Sequence, residues 1–148
     1  MKNSNKISAL LITYNEINHI EYVINNINFA DEIIVVDSFS TDGTLEKLAK
    51  LEHVTTIKRA FKNFADQRNF AIKQAAHDWV LFIDADERLT DKLKTEIITT
   101  VNNPTDIAAF MVKRLYYFKK KRIRFSGFQT DTTYLCSKKT RQNILKIK

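Results

Sequence analysis

The chain has 148 residues, 44% of them hydrophobic and 28% charged, with two glycines, one proline, one cysteine and a formal net charge of +7. That length suits one globular domain whose core needs neither a disulfide nor a structural metal, and the lone Cys136 can close no internal bridge. Gly43 and Gly127 are too few for a Gly-rich dinucleotide loop or a P-loop, so a bound diphosphate has to be neutralised by a metal or by basic side chains.

Ile7 to Thr13 is a compact apolar run that predicts a buried strand, and Ile17, Ile20, Val23, Ile24 and Ile27 then recur at helical spacing. Glu32 to Val36 is a second, β-branched strand ending at Asp37. Ser40 to Asp42 offer cap oxygens for a helix through Leu45, Leu48 and Leu51. Val54 to Ile57 predicts a third strand, Asp66 to Ala75 a helix, and Trp79 to Ile83 a fourth strand running into Asp84, Ala85 and Asp86. Thr90 can cap the next helix, with Leu93, Ile97 and Val101 as its apolar positions and Pro104 just past its end. Repeated strand-helix units predict an α/β fold, a mostly parallel sheet covered by helices on both faces. After Pro104 the rhythm changes: residues 108–117 and 132–137 read as strands with no helix between them, an antiparallel or irregular part.

Charge divides the chain in the same place. Residues 1–112 carry a net charge of −4, whereas residues 113–148 carry +11, with Asp131 their only acid. The expected organisation is one domain, 1–148, with an α/β core over 1–112 and a basic segment over 113–148. Such a segment usually faces phosphate, anionic lipid or nucleic acid, or is a solvated lysine-rich face. The run from Lys119 to Arg124 is its densest part. No nucleic-acid partner is expected, because no recognition motif accompanies the charge. No apolar run reaches the roughly twenty residues of a membrane span, and the opening MKNSNK has no apolar h-region, so a cytoplasmic location is expected.

In an open α/β sheet, ligands bind beyond the carboxyl ends of the strands, where strand order reverses. That rule selects Thr13, Tyr14, Asn15 and Glu16 at the end of strand one, Asp37 and Ser38 after strand two, and Asp84 and Asp86 after strand four. A single strand-end Asp is commonly a helix cap, but three on one rim repel unless a cation or ligand donors lie between them. The Asp84-Ala85-Asp86 triplet offers oxygen-only ligation, which suits Mg or Mn. His19, His53 and His77 have no metal-site spacing, Trp79 and Phe61, Phe64, Phe70 and Phe82 are expected to be core, and Cys136 has no evident His partner to activate it.

TYNE at Thr13 to Glu16, VDSFSTDGT at Val36 to Thr44, ADQRNFA at Ala65 to Ala71 and FIDADE at Phe82 to Glu87 stand together in a recognisable order. In this the chain resembles the nucleotide-sugar glycosyltransferases of the large inverting family 2, strongly to Arg88 and thinly after about Lys113. The resemblance implies a Rossmann-like A-type fold and a transferase moving a hexose from a nucleoside diphosphate sugar, UDP-linked, with Mn or Mg. The acceptor it implies is a glycan or lipid-linked molecule in lipopolysaccharide or other surface-glycan synthesis; the charge of Lys119 to Arg124 would attract anionic lipid at the inner membrane face, or acceptor phosphates. Residue by residue, it implies that Thr13, Tyr14, Glu16 and Asp37 surround the nucleoside. Asp84, with Ala85 beside it, would hold ribose or share the metal, and Asp86 would bind the ion. Gln67, Arg68 and Asn69 would approach the donor, with Arg68 either contacting the diphosphate or standing as an exposed helix arginine. Asp131, after the segment Phe125 to Phe128, would be the catalytic base or a turn residue within FQTDTT. The chain departs from the family at Tyr134 to Ser137, where an Arg-Leu-Phe run is usual, and it stops at Lys148 before a usual His-Glu segment. The alternative expectation is therefore a truncated, non-catalytic module that binds a nucleotide sugar or a partner protein.

Overall fold

Consecutive residues of a strand face opposite sides of a sheet, and Ile7–Thr13 (β1) is apolar on both, as a strand covered on two faces must be. The computed structural model describes residues 5–103, 109–119, 121–123 and 132–138. Within them β1 is followed by Ile20–Asn26 (α1), Glu32–Asp37 (β2), Thr44–Leu48 (α2), Val54–Lys58 (β3), Phe64–Gln74 (α3), Trp79–Phe82 (β4) and Asp91–Asn102 (α4). Ala109–Lys113 (β5), the short strands Tyr117–Phe118 (β6) and Lys121–Arg122 (β7), and Thr132–Lys138 (β8) complete the order.

The main sheet runs β3-β2-β1-β4-β8-β5. The first four strands are parallel, while β8 is antiparallel to both β4 and β5. The expected mostly parallel sheet with an antiparallel C-terminal part is what forms. Residues 108–117 are not one strand: β5 ends at Lys113, and Tyr117–Phe118 pairs instead with Lys121–Arg122 in a separate hairpin, with Lys119 at φ 46.

Both faces carry helices. On one, Ile20, Val23 and Ile24 of α1, Leu48 of α2, and Ile97 and Val101 of α4 pack on Ala9, Leu11, Ile33, Val35 and Leu81. On the other, Ala71 of α3 and Ala75 just past its end cover Leu10, Ile34, Val36 and Val80. Each fully buried Leu in this arrangement contributes on the order of 1.5–3 kcal/mol of transfer free energy. No helix among the described residues is long and apolar enough to cross a membrane.

Helix starts show where loop bonding overrides periodicity. The apolar spacing begins at Ile17, but α1 starts at Ile20 because the Ile17 N–H donates to Asp42 Oδ2 at 2.9 Å while the Glu16 carbonyl accepts from His19 and Ile20. Helix α2 ends at Leu48, short of Leu51, in tighter bonds from Lys50 to Lys47 and from Leu51 to Leu48. Thr90 caps α4 as its sequence predicts, accepting from the Leu93 N–H at 3.2 Å.

Cys136 on β8 sits opposite Leu81 and Phe110, and burial pushes its thiol from an ordinary 9.0 up to about 12. The folded state thus holds this proton more tightly than the unfolded one. Its contribution to stability is complete below the unfolded value near 9.0 and is lost as pH rises through about 12. At pH 8 the folded protein should alkylate roughly 1,000-fold more slowly than the urea-unfolded chain, because only the thiolate reacts. Equal iodoacetamide rates in the two states would contradict the burial of this strand.

Candidate functional site

Strand order reverses beside β1, which pairs with β2 on one side and β4 on the other. The carboxyl ends of these three strands therefore border one crevice, the ligand position of such sheets. Asp37 and Asp84 lie on either side of β1, about 10 Å apart by interstrand spacing.

Asp37 is 0% exposed and both its oxygens are engaged. Oδ1 accepts from the Ser40 N–H at 2.8 Å, and Oδ2 accepts from Thr13 Oγ1 at 3.0 Å and Ser40 Oγ at 2.6 Å. Ser40 Oγ in turn accepts from the Asn15 N–H at 2.8 Å, and Asn15 Oδ1 accepts from the Thr41 N–H at 2.8 Å. The loops after β1 and β2 are thus stitched into one unit, with Asn15 and Phe39 both in left-handed conformations. Asp42 completes the stitching by accepting from the Ile17 N–H and from the N–H and hydroxyl of Thr44. Burial opposes the charge on Asp42, but those donors outweigh it and hold the carboxyl below its usual value. Of Ser40 to Asp42, Asp42 is the residue that bonds the start of α2. Gly43 lies between it and the helix at φ 97, where an added Cβ would stand 2.8 Å from Ile17 Cδ1. Tyr14 is held at the tip of this unit, 59% exposed, with Glu16 half-buried behind it.

The QRN segment lies on α3, whose N-cap Asn63 accepts from the Asp66 N–H. Gln67 is fully buried, accepting from Arg59 at 2.6 Å and donating to Ser38 Oγ and the Arg59 carbonyl, each at 3.2 Å. It ties α3 to the ends of β2 and β3, and its amide is spent on that task. Arg59 also pairs with Asp66 at 2.5 Å, and that hydrogen bond, against burial, holds the Asp66 carboxyl below its usual value. Arg68 instead faces β4: it donates to Asp84 Oδ1 at 3.0 Å and lies over the Phe82 ring at 5.6 Å. Its Nε is buried with no hydrogen-bond partner among the described residues. Asn69, about 200° round the helix from Gln67, is exposed and does not join this group.

The turn after β4 is clamped from several sides. The Asp84 N–H donates to Glu87 Oε2 at 3.1 Å, the Glu87 N–H donates to the Asp84 carbonyl, and Arg88 donates to the Ala85 carbonyl at 2.8 Å. Asn26 of α1 bonds both the N–H and carbonyl of Leu89, and the Ala85 side chain is buried in the core. Arg114, just beyond β5, places Nε 2.7 Å from Glu87 Oε1 and an Nη 3.7 Å from Asp84 Oδ2. Burial works against its charge, but Glu87, Tyr116 and Asp84 outweigh that and raise the guanidinium above its ordinary value.

The three rim carboxylates stand in different surroundings. Asp37 is satisfied by hydroxyls and an amide, and Asp84 is ion-paired with Arg68 and Arg114. Asp86 alone is exposed and has no hydrogen-bond or ion-pair partner among the described residues. No group of three or more His, Cys, Asp or Glu side chains able to hold a metal forms among the described residues. The donor set suits a hard cation that takes one or two carboxylate oxygens from the protein and the rest from water and phosphate, as Mg and Mn do. Asp131, Lys120 and Arg124 lie outside the described residues, while Lys119, Lys121 and Arg122 are exposed on the β6-β7 hairpin.

Residues 8–148 match the family described as Glycosyl transferase family 2. The chain belongs to that family. It is 39% identical over 117 residues to a glycosyltransferase of Rickettsia prowazekii, covering 77% of this chain and 40% of the relative. It is 30% identical over 115 residues to the lipopolysaccharide core biosynthesis glycosyltransferase LpsC of Rhizobium meliloti, covering 75% and 43%. Among solved structures, the mannosyltransferase PcManGT from Pyrobaculum calidifontis, in complex with GDP-Man and Mn2+, matches at 28% identity with a TM-score of 0.60. That match covers 74% of this chain and 36% of PcManGT. The chain thus spans about two fifths of the length of these relatives.

The sequence passed over Arg114, Glu87 and Asn26. Arg114 sits in a run of basic residues where nothing marks one cation above the others, and its partners lie 27 and 30 positions away. The adjacency of Glu87 to the Asp84-Ala85-Asp86 turn was the one available sign.

Proposed function

We propose that this chain carries the donor-binding site of a glycosyltransferase that moves a hexose from a nucleoside diphosphate sugar, UDP-linked, to a glycan or lipid-linked acceptor in surface-glycan or lipopolysaccharide synthesis. The observation that carries the reading is the exposed Asp86 carboxylate, unpaired among the described residues, on the same turn as the Arg68-Asp84 pair at the sheet's switch point. Tyr14, with Glu16 and the Thr13-Asp37 pair behind it, frames the nucleoside. Asp84 and the Ala85 backbone face the ribose, and Arg68 turns its unpartnered Nε to the diphosphate. Gln67 holds α3 in place, and Asn69 borders the donor from the outer side of that helix.

Asp86, with Asp84, would hold a Mn or Mg ion, which stabilises charge developing on the leaving diphosphate as a Lewis acid. Inversion at the anomeric carbon requires a carboxylate across the sugar to take the acceptor proton, and Asp131 is assigned that role. The basic run Lys119 to Arg124 rests on anionic lipid at the cytoplasmic face, each cation adding roughly 1 kcal/mol near a charged membrane.

Calorimetry with UDP and with GDP, each with and without Mn2+, tests the reading. Binding of one nucleotide that requires Mn2+ is expected, and absence of binding to both sinks it. Hydrolysis or transfer from the matching sugar donor separates an enzyme from a donor-binding module that lacks catalysis. Co-sedimentation with vesicles should rise with anionic lipid and fall with salt; indifference to both removes the membrane contact.

A further inference from the structure

We propose that Arg114 is a positioning residue for the donor site: through Glu87 and Asp84 it fixes the turn that presents Asp86, so that the segment after β5 controls a site built by β1, β2 and β4. The inference rests on the donor-site reading above for its functional consequence, although the geometry of the clamp does not depend on it.

The turn is crowded with like charge. Its carboxylates at 84, 86 and 87 fall within four residues and repel one another, and of the bonds that clamp it among the described residues the two between Asp84 and Glu87 close it end to end, one of them through the Glu87 side chain. Glu87 spends Oε2 on the Asp84 N–H and can do so only while its side chain is folded back over the turn. Arg114 faces it there as an ion pair, with Nε 2.7 Å from Oε1, and the same guanidinium lies at ion-pair distance, 3.7 Å, from Asp84 Oδ2. Arg68 takes the other Asp84 oxygen at 3.0 Å. Two arginines from different elements thus divide one carboxylate, and only Arg114 also holds Glu87. When a diphosphate draws Arg68 towards itself, Arg114 is the cation that keeps Asp84 in place. Lysine cannot substitute fully, because a point charge does not span two carboxylates as the guanidinium fork does.

The test compares the parent chain with Arg114→Met, Arg114→Lys, Glu87→Gln and the Met-Gln double variant. Hydrogen exchange of the Asp84 and Glu87 amides is read first, with the Ser40 amide as the control. Exchange at both turn amides should quicken by about tenfold or more in Arg114→Met, while Ser40 is unchanged. Calorimetry with UDP or GDP and Mn2+ is read second. Affinity should fall roughly 10- to 100-fold in Arg114→Met, the range for partners that orient a metal ligand. Glu87→Gln should fall similarly, the double variant should be no weaker than the worse single one, and Arg114→Lys should recover part of the loss. Unchanged turn exchange in Arg114→Met, equal acceleration at Ser40, or additive losses in the double variant would overturn the positioning role. A parent chain that binds neither nucleotide defeats the donor-site reading, and the exchange data then decide the role of Arg114 alone.

Discussion

Replacing Asp37 by Ala should destabilise the protein by about 3–5 kcal/mol, a large part of the 5–15 kcal/mol that holds a domain of this kind together. The carboxylate accepts three hydrogen bonds in a site with no solvent access. Its removal leaves the Ser40 N–H and two hydroxyls without acceptors, and it frees the Asn15 loop that Ser40 anchors. Asp37→Asn should cost much less, about 1 kcal/mol. Its Oδ1 still accepts from the Ser40 N–H, and its amide can donate to the Thr13 and Ser40 hydroxyls, which turn to receive it. Urea unfolding of both variants checks this. Equal losses for Ala and Asn would mean that the negative charge, rather than the hydrogen-bond network, is what the site requires. A loss below about 1 kcal/mol in Asp37→Ala would mean that the two loops hold together without it.

What the sequence made legible follows from how local each cause is. β1 and β2 were readable to within a residue because strands buried on both faces show as unbroken apolar runs. Thr90 as a cap was readable because its bond reaches only three residues. The start of α1 was not, since the contact that delays it comes from Asp42, 25 positions on. The same distinction governs the site. Placing Asp37, Asp84 and Asp86 at strand ends needed only the α/β rhythm and the family motifs. What each carboxylate does there depends on partners that the rhythm cannot rank: Ser40 for Asp37, and Arg68 and Arg114 for Asp84. Gln67 shows the point most clearly. Its neighbours in QRN suggest a ligand contact, yet residue 67 falls on the face of α3 turned to the sheet, and its amide is consumed by Arg59 and Ser38.

Asp86 should behave as the opposite of Asp37. Asp86→Ala removes an exposed side chain with no described partner, so unfolding should shift by no more than about 0.5 kcal/mol. The Mn-dependent part of nucleotide binding, in contrast, should fall at least about 100-fold, because loss of a metal ligand costs no less than loss of the groups that orient one. Asp86→Asn should fall nearly as far, since it keeps an oxygen but not the charge that a hard divalent cation selects. Calorimetry at saturating and at zero Mn2+, with urea unfolding of the same samples, separates the two effects. A carboxylate left unpaired on an otherwise saturated turn is tolerable only where water or a cation supplies its partner. If both variants keep Mn-dependent affinity, the ion is held elsewhere and Asp86 is an ordinary solvated acid. If instead they lose stability along with binding, the turn depends on Asp86 for its fold, and the division of labour among Asp37, Asp84 and Asp86 collapses.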